Sequence, residues 1–426
     1  MAQPFRFLAH NGEINTIRGN INWMKSYETL FRSSQFTKEE FALILPMLDE
    51  TQSDSSNLDK IIELLILGGR SIAHVMMMLV PEAWENDAQL AGFKKDFYKY
   101  YSTLIQPWDG PASICFTDGK VVGAILDRNG LRPSRYCLTN DDVLIMSSEA
   151  GALSVDPSTV IKKGRLEPGK IFIADLEQGK IIDDEELKRQ ICNLQPYGEW
   201  IKNNSIHVDN LPETYKQKAV FDDEMLLRKL HQFGFSTEDL QVVVSPMIAN
   251  AKDALGSIGA DTPLAVLSDQ SQHITHYFKQ LFAQVSNPPM DSLRERMVMT
   301  LNTSVGKTLD ILAEKPEHSI VIEFSQPVLT NRQLAKIKYL AHPKFRCKTI
   351  DALFEASGES GALEKAIDKI CQDAEDAIRF GSYNILLISD RKSDQEMAAI
   401  PSLLALGAIH QHLISTGLRV RVGLLV

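Results

Sequence analysis

Several features that are common in proteins are scarce or missing in this sequence of 426 residues. It has only five cysteines and no CxxC pair, which predicts neither a disulfide framework nor a metal site and is typical of a reducing cytoplasm. No apolar run is long enough to span a membrane, and no apolar leader follows Met1. Basic charge is not in excess, since 45 Lys and Arg face 55 Asp and Glu, and the net charge of −10 argues against a nucleic-acid surface.

The apolar content is sufficient for a sizeable core, since a hydrophobic fraction of 44% is ordinary for a globular chain of two or three domains. In the first half, helix signals come first: a capping box at Thr37 to Glu40, and a helical pattern that stops at Gly68-Gly69. From residue 110 the pattern predicts short antiparallel strands. The predicted hairpin turns are Asp118-Gly119, Asn129-Gly130 and Asn140 to Asp142, with a further hairpin over 166–182. We therefore expect an α+β domain with layered sheets over residues 1–200.

The second half has a different pattern. Residues 183–220 are polar and predict a helical connector, with a linker over 201–220. Beyond it, two strands that are apolar on both faces, 319–324 and 384–390, flank an amphipathic helix at 362–380. Strand, helix and strand of this kind are typical of a parallel sheet. We therefore expect a second, α/β domain over residues 221–426.

The stretch "AHNGEINTIRGN" follows a predicted strand over residues 4–10. Asn11-Gly12 is by itself a common turn signal, and a tight turn is the simpler interpretation. The same two residues could instead form an oxyanion hole, because a side-chain amide beside an unobstructed backbone N–H can hold the negative charge that develops when an amide is cleaved. On spacing alone, the tight turn is by far the favoured interpretation.

The longer segment "PFRFLAHNGEINTIRGN" resembles the class II glutamine amidotransferases, in the form found in the large subunit of glutamate synthase. The resemblance implies an N-terminal nucleophile amidohydrolase-like fold, with Asn11 and Gly12 as the oxyanion hole and no catalytic role for His10. It also implies that Asp54, in "TQSDSSNLDK", binds the α-ammonium of glutamine. Capping of the following helix is the competing role for Asp54.

Three further residues near these motifs are given structural roles. Asp59 is out of register with the motif, and we expect a first-turn acid that the helix dipole favours. "ILDRNGLRPSRY" resembles a turn of the same family, where we expect Arg132 and Arg135 to organise the turn rather than touch substrate.

The resemblance continues at 255–269 and 277–301, which are similar to the central domain of the glutamate synthase large subunit. It implies a parent enzyme that takes ammonia from glutamine, channels it to 2-oxoglutarate and reduces the product with a flavin. The implied cofactors, FMN and an iron–sulfur cluster, belong to the full-length parent and not to this segment. The implied partners are glutamine, the flavin domain of the same subunit and a small reductase subunit. We interpret the glycine-rich loop of Gly256, Gly259 and Asp261 as a structural turn.

The class II nucleophile, an N-terminal cysteine, is not found in this sequence. The first cysteine, Cys115, lies in an apolar strand and is expected to pack rather than react. We therefore expect a chain truncated at both ends that does not hydrolyse glutamine by itself. Two alternatives remain open: a class II amidotransferase with another acceptor, and a non-catalytic scaffold protein that natively starts at Met1.

Overall fold

The computed structural model describes residues 5–33, 35–213, 221–254, 265–269, 272, 274–278 and 290–426. The described helices of the first half are α1 (Ile17–Tyr27), α2 (Lys38–Ile44), α3 (Asp54–Leu67), α4 (Ile72–Leu79), α5 (Gly92–Ser102), α6 (Asp184–Cys192) and α7 (Tyr197–Asn204). The strands are β1 (Leu8–Gly12), β2 (Ala112–Thr117), β3 (Val121–Leu126), β4 (Arg135–Thr139), β5 (Leu144–Ser147), β6 (Val160–Arg165), β7 (Ile171–Asp175), β8 (Lys180–Ile182) and β9 (Ile206–His207). The predicted capping box is confirmed, since Thr37 and Glu40 bond reciprocally at the start of α2.

Five strands form an antiparallel sheet in the order β1-β2-β3-β7-β8. Alternate residues of β2 face opposite sides of this sheet. Ile114 and Phe116 pack into the large core beneath helices α1 and α3–α7, while Cys115 packs into a smaller cluster on the other side. The strand β1 is the edge of this sheet in the described residues, which places Asn11 and Gly12 inside a strand rather than after it.

A second, three-stranded sheet in the order β5-β4-β6 packs against the first. Tyr136 and Met146 from this sheet contact the cluster that contains Leu126 and Phe172 from the first sheet. The turns at Asp118-Gly119 and 140–142 are confirmed as hairpins, because β2 pairs with β3 and β4 with β5, and the β7–β8 pair confirms the hairpin within 166–182.

The hairpin predicted at Asn129-Gly130 is wrong. The strands on either side of it, β3 and β4, belong to different sheets, with β3 paired to β2 and β7 and β4 paired to β5 and β6. An Asn-Gly signal reports a local tight turn, but the choice of partner strand depends on distant contacts. This turn therefore carries the chain from one sheet to the other.

The second half has helices α8 (Asp223–Gln232), α9 (Ser245–Asn250), α10 (Ser292–Val298), α11 (Asn331–Lys338), α12 (Ala362–Arg379) and α13 (Ser402–Ser415) among its described residues. Its strands are β10 (Thr303–Gly306), β11 (Val321–Phe324), β12 (Cys347–Asp351), β13 (Leu353–Glu355), β14 (Ile385–Ser389), β15 (Met397–Ala399) and β16 (Gly423–Leu425). The predicted parallel sheet is confirmed as β12-β14-β16, with α12 and α13 packed on it.

One part of that prediction is wrong. The strand at 319–324 (β11) does not share a sheet with β14; it pairs with β10 and β9 instead. The strand before helix α12 in the parallel sheet is β12. Its polar residues Lys348 and Asp351 interrupt the apolar pattern by which the other two strands were predicted. The strands β11 and β14 are similar in composition, and only their pairing shows that they belong to different sheets.

Residues 201–213 of the predicted linker are packed into the fold. The strand β9 runs parallel to β11, and Val208 and Leu211 are buried in a cluster with Ile322 and Phe324. The predicted domain boundaries themselves stay predictions.

A buried polar cluster joins the first half to the loop before β11. The Glu314 carboxylate accepts hydrogen bonds from Arg70 Nε at 3.1 Å and Tyr101 OH at 2.6 Å, and Tyr101 OH also lies 2.7 Å from His74 Nε2. Burial lowers the pKa of His74 to about 4, so this histidine is neutral near pH 7. The hydrogen bonds and the Arg70 charge hold the pKa of Glu314 below its usual value despite burial.

The α+β organisation of the first half is confirmed by these sheets and helices, while the amidohydrolase-like layering stays a prediction. Among the described residues, no helix is both long and apolar enough to cross a membrane. The predicted turn at Gly256, Gly259 and Asp261 lies outside the described residues.

Candidate functional site

The edge of β1 presents a backbone N–H from Gly12. Gly12 lies opposite Ala112, whose own N–H and C=O are both bonded to Asp127 on the far side. Gly12 and Ala112 therefore form a non-hydrogen-bonded pair of the antiparallel ladder. The residues of such a pair direct their backbone groups away from each other, so the Gly12 N–H points to the open edge. A Cβ at this position would lie 1.9 Å from the Pro111 carbonyl oxygen, so only glycine fits.

The side chain beside this N–H is exposed. Asn11 lies opposite Ser113, and in the described part of the chain its carboxamide has no hydrogen-bond partner. A primary amide carries two donor hydrogens. The two donors predicted from the sequence are therefore adjacent and uncommitted, and their convergence on one acceptor stays a prediction.

Asp54 is the first residue of α3, and the helix cap is its neighbour. Ser53 is the N-cap, with its hydroxyl accepting from Ser56 N at 3.1 Å. The Asp54 carboxylate accepts from Ile14 N at 2.9 Å and from Ser55 N at 2.7 Å. The cap role weighed for Asp54 therefore belongs to Ser53, and Asp54 is held next to the chain segment that follows Gly12.

His10 connects β1 to the start of α3. Its side chain is fully buried, with Nδ1 2.9 Å from Ser55 Oγ and 3.7 Å from Asp54 Oδ2. Burial lowers the pKa of His10, against the opposing influence of the Asp54 and Glu13 charges. This agrees with a structural part for His10: a neutral imidazole that fixes the first turn of α3 against the strand.

The role predicted for Asp59 is wrong. Asp59 is the sixth residue of α3 and not a first-turn acid. Its buried carboxylate accepts the backbone N–H groups of Arg6 at 2.9 Å, Phe7 at 2.9 Å and Leu8 at 3.2 Å. It therefore holds the start of β1, a long-range function that no local sequence pattern reveals.

The turn after β3 is organised by Asp127 instead of the two predicted arginines. The Asp127 carboxylate accepts from Asn129 N at 2.8 Å and Gly130 N at 3.0 Å, besides its bond to β2. Arg132 and Arg135 form no ion pair with any described residue. The hydrogen bonds therefore do not support the expected role of Arg132 and Arg135 in organising the turn.

Cys115 packs against its neighbours as expected. It is half-buried in β2 opposite Ala9, and burial raises the pKa of its thiol. A protonated thiol is a poor nucleophile. Nowhere in the described ranges do three or more His, Cys, Asp or Glu side chains gather so as to hold a metal ion.

Comparison with known proteins identifies the two halves separately. The family of class II glutamine amidotransferases matches residues 1–200, and the glutamate synthase central domain matches residues 228–426. The chain is 46% identical over 425 residues to the Bacillus subtilis protein named glutamate synthase [NADPH] large chain, covering 100% of this chain and 27% of that protein.

Relatives from a plant and from another bacterium match the chain over nearly its whole length as well. The Arabidopsis thaliana protein named ferredoxin-dependent glutamate synthase 2, chloroplastic, is 44% identical, covering 98% of this chain and 26% of that protein. The Azospirillum brasilense protein named glutamate synthase [NADPH] large chain is 41% identical, with 98% of this chain and 28% of that protein covered. The chain thus spans about a quarter of the length of these relatives. It belongs to the glutamate synthase large-chain family.

Proposed function

We propose that this chain handles glutamine within a glutamate synthase: it binds glutamine at the β1 edge, and the ammonia released there is channelled toward 2-oxoglutarate. The observation that carries the proposal is the Gly12 N–H, which points to an open strand edge beside the uncommitted Asn11 amide. Two adjacent donors of this kind, once both are directed at one point, stabilise the charged oxygen that forms when the glutamine amide is attacked.

Asp54 is the proposed partner of the glutamine α-ammonium. A carboxylate has about four acceptor positions. The backbone N–H groups of Ile14 and Ser55 and the Ser55 hydroxyl occupy three of them. The remaining lone pair can accept from an ammonium group. Because the carboxylate is already oriented by the backbone, the charge-assisted bond costs little reorganisation.

The nucleophile is not assigned to a residue of this chain. The family uses an N-terminal cysteine, and Cys115, with a raised pKa in a packed strand, does not fit that role. An iron–sulfur cluster is likewise not placed here, because the five cysteines are scattered and the described residues gather no ligand set. FMN is assigned to the flavin domain of the parent subunit, as the resemblance implies. In this proposal the flavin domain and a small reductase subunit carry the reductive half of the reaction.

The match of residues 228–426 to the glutamate synthase central domain favours this function over another class II amidotransferase with a different acceptor. We propose that this half carries part of the ammonia path. A cytoplasmic location is part of the same proposal, on the grounds of cysteine usage.

The test is a chimera in which this chain replaces the matching segment of the Bacillus subtilis large chain. Asp54→Asn keeps the shape and one acceptor oxygen but removes the charge. We expect the glutamine KM to rise at least about tenfold, while synthesis from free ammonia is retained. Asp373→Asn, at an exposed position of α12, is the control and should change neither value. Equal loss of both activities in Asp54→Asn would show a purely structural residue and contradict the proposal.

A further inference from the structure

A cavity of about 530 Å³ lies beside the turn that joins the two sheets of the first half. Its described lining includes four arginines, Arg132, Arg135, Arg165 and Arg294, and one acidic residue, Glu167. The chain as a whole carries a net charge of −10, so this lining runs opposite to the overall composition. A local excess of guanidinium groups in a concave site needs a physical reason.

None of the four arginines forms an ion pair with a described residue, although Asp291 at the start of α10 is close enough to Arg294 for the two charges to attract. By contrast, the neighbouring Arg128 pairs with Asp109 at 3.0 Å. The Arg132 Nε is buried and lacks a hydrogen-bond partner, which is costly for a charged group. Of all the acidic residues in the sequence, Asp261 alone lies outside the described ranges. Apart from Glu167 in the lining and Asp291 near Arg294, the carboxylates of the described residues leave this cluster unmatched.

Two of the arginines also face each other across a strand pair. Arg135 of β4 lies directly opposite Arg165 of β6 in the antiparallel register. Like charges in directly opposite positions destabilise a sheet. The arrangement becomes favourable when an anion lies between the guanidinium groups, because each can donate two parallel hydrogen bonds to a carboxylate or phosphate.

The wall of the cavity is rigid. Asp127 fixes the turn from within by accepting the Asn129 and Gly130 N–H groups. A Cβ on Gly130 would lie 2.4 Å from Pro168 Cγ, so the turn packs closely against Pro168, which also lines the cavity. Asn129, which lines the cavity, has a buried side-chain oxygen with no partner in the described part of the chain. That oxygen would accept a hydrogen bond from a hydroxyl group.

We propose that this arginine-lined cavity binds a small polyanion that carries two or more carboxylate or phosphate groups. The guanidinium groups supply the charge, and the fixed turn supplies a preorganised wall that lowers the cost of binding. A ligand hydroxyl would complete the bonding of Asn129. The inference stands apart from the proposed glutamine function, since it uses neither Asn11 nor Asp54.

The experiment is a calorimetric titration of the 426-residue chain, in low-salt buffer, with citrate in one arm and inorganic pyrophosphate in the other. We expect saturable binding in at least one arm, and the arm that binds more tightly assigns the carboxylate or the phosphate class. Arg165→Gln and Arg294→Gln, both at exposed positions, should each weaken binding roughly tenfold or more. Arg296→Gln is the matched control, because it lies on the same helix as Arg294 but does not line the cavity.

Thermal unfolding provides a second readout. Without a ligand, Arg165→Gln should unfold at the same temperature as the parent or higher, because the substitution removes a like-charge pair. With the ligand, the parent should gain more stability than the variant. The proposal is wrong if neither probe binds, or if Arg165→Gln and Arg294→Gln bind as tightly as Arg296→Gln. It is also wrong if the parent chain does not bind either probe and the Asp261→Asn variant does, because Asp261 would then already neutralise the cluster.

Discussion

Replacing Asp59 with alanine should loosen the start of β1. The Asp59 carboxylate accepts three backbone N–H groups, at 2.9, 2.9 and 3.2 Å, and the bond to Leu8 N is buried. A hydrogen bond to a charged group contributes about 1.5–3 kcal/mol. The Arg6 and Phe7 N–H groups are only partly buried and can bond to water instead. We therefore expect Asp59→Ala to cost about 3 kcal/mol rather than the sum of three such hydrogen bonds.

Hydrogen exchange measures this cost where it arises. A loss of about 3 kcal/mol in local stability predicts roughly hundredfold faster exchange of the Arg6, Phe7 and Leu8 amides. Asp59→Asn keeps one acceptor oxygen and should show a smaller effect, while Asp373→Ala, at an exposed position of another helix, should show none. Exchange of these three amides at the parent rate in Asp59→Ala would refute the reasoning that Asp59 holds β1 to α3.

Three further predictions concern the edge glycine and the buried polar groups. Gly12→Ala places a Cβ 1.9 Å from a carbonyl oxygen, so it should lower both the thermal midpoint and glutaminase turnover; a fully active, equally stable variant would contradict the packing argument. Glu314→Gln should cost about 3 kcal/mol in urea unfolding, and adding Arg70→Met should recover part of it; strictly additive losses would show that the pair is not coupled. Burial lowers the pKa of His318 to about 4, so stability should fall as the pH drops from about 6.5 to 4, where the unfolded chain takes up the proton first. His318→Phe should flatten this acid limb by up to about 1.4 kcal/mol per pH unit, while the exposed His231→Phe should leave it unchanged, and an identical limb in both would contradict the linkage.

Local sequence signals predicted local structure well. The Thr37 to Glu40 capping box, the Asp118-Gly119 hairpin and helix α12 all depend on residues close together in the chain, and all three were confirmed. Each needs only backbone geometry and a few neighbouring side chains. The same kind of signal at Asn129-Gly130 correctly marked a turn but could not tell which strands it connects, because strand pairing is decided by distant packing.

The candidate site was predicted only in part. The motif around Asn11 and Gly12 was found from the sequence, but the reason that glycine is required, the close approach of the Pro111 carbonyl, comes from a segment about a hundred residues away. The bonds of Asp59 could not be predicted from its local sequence, because its three partners lie more than fifty residues upstream. The charge environment of Arg132 was likewise out of reach, since it depends on strands from two sheets meeting at one turn.

The central claim is that Asn11 and Gly12 together hold the charged oxygen of a cleaved glutamine amide. Its most direct test is the glutaminase kcat of Asn11→Ala in the chimera with the Bacillus subtilis large chain. Because the Asn11 side chain makes no hydrogen bond within the described residues and its backbone pairing with Ser113 does not depend on the side chain, the fold and the thermal midpoint should be unchanged. The kcat should fall about 100- to 1,000-fold, the loss typical of one oxyanion donor, while the nearby exposed Asn15→Ala should keep full turnover. Unchanged turnover in Asn11→Ala would contradict the account and leave this strand edge with a structural role alone.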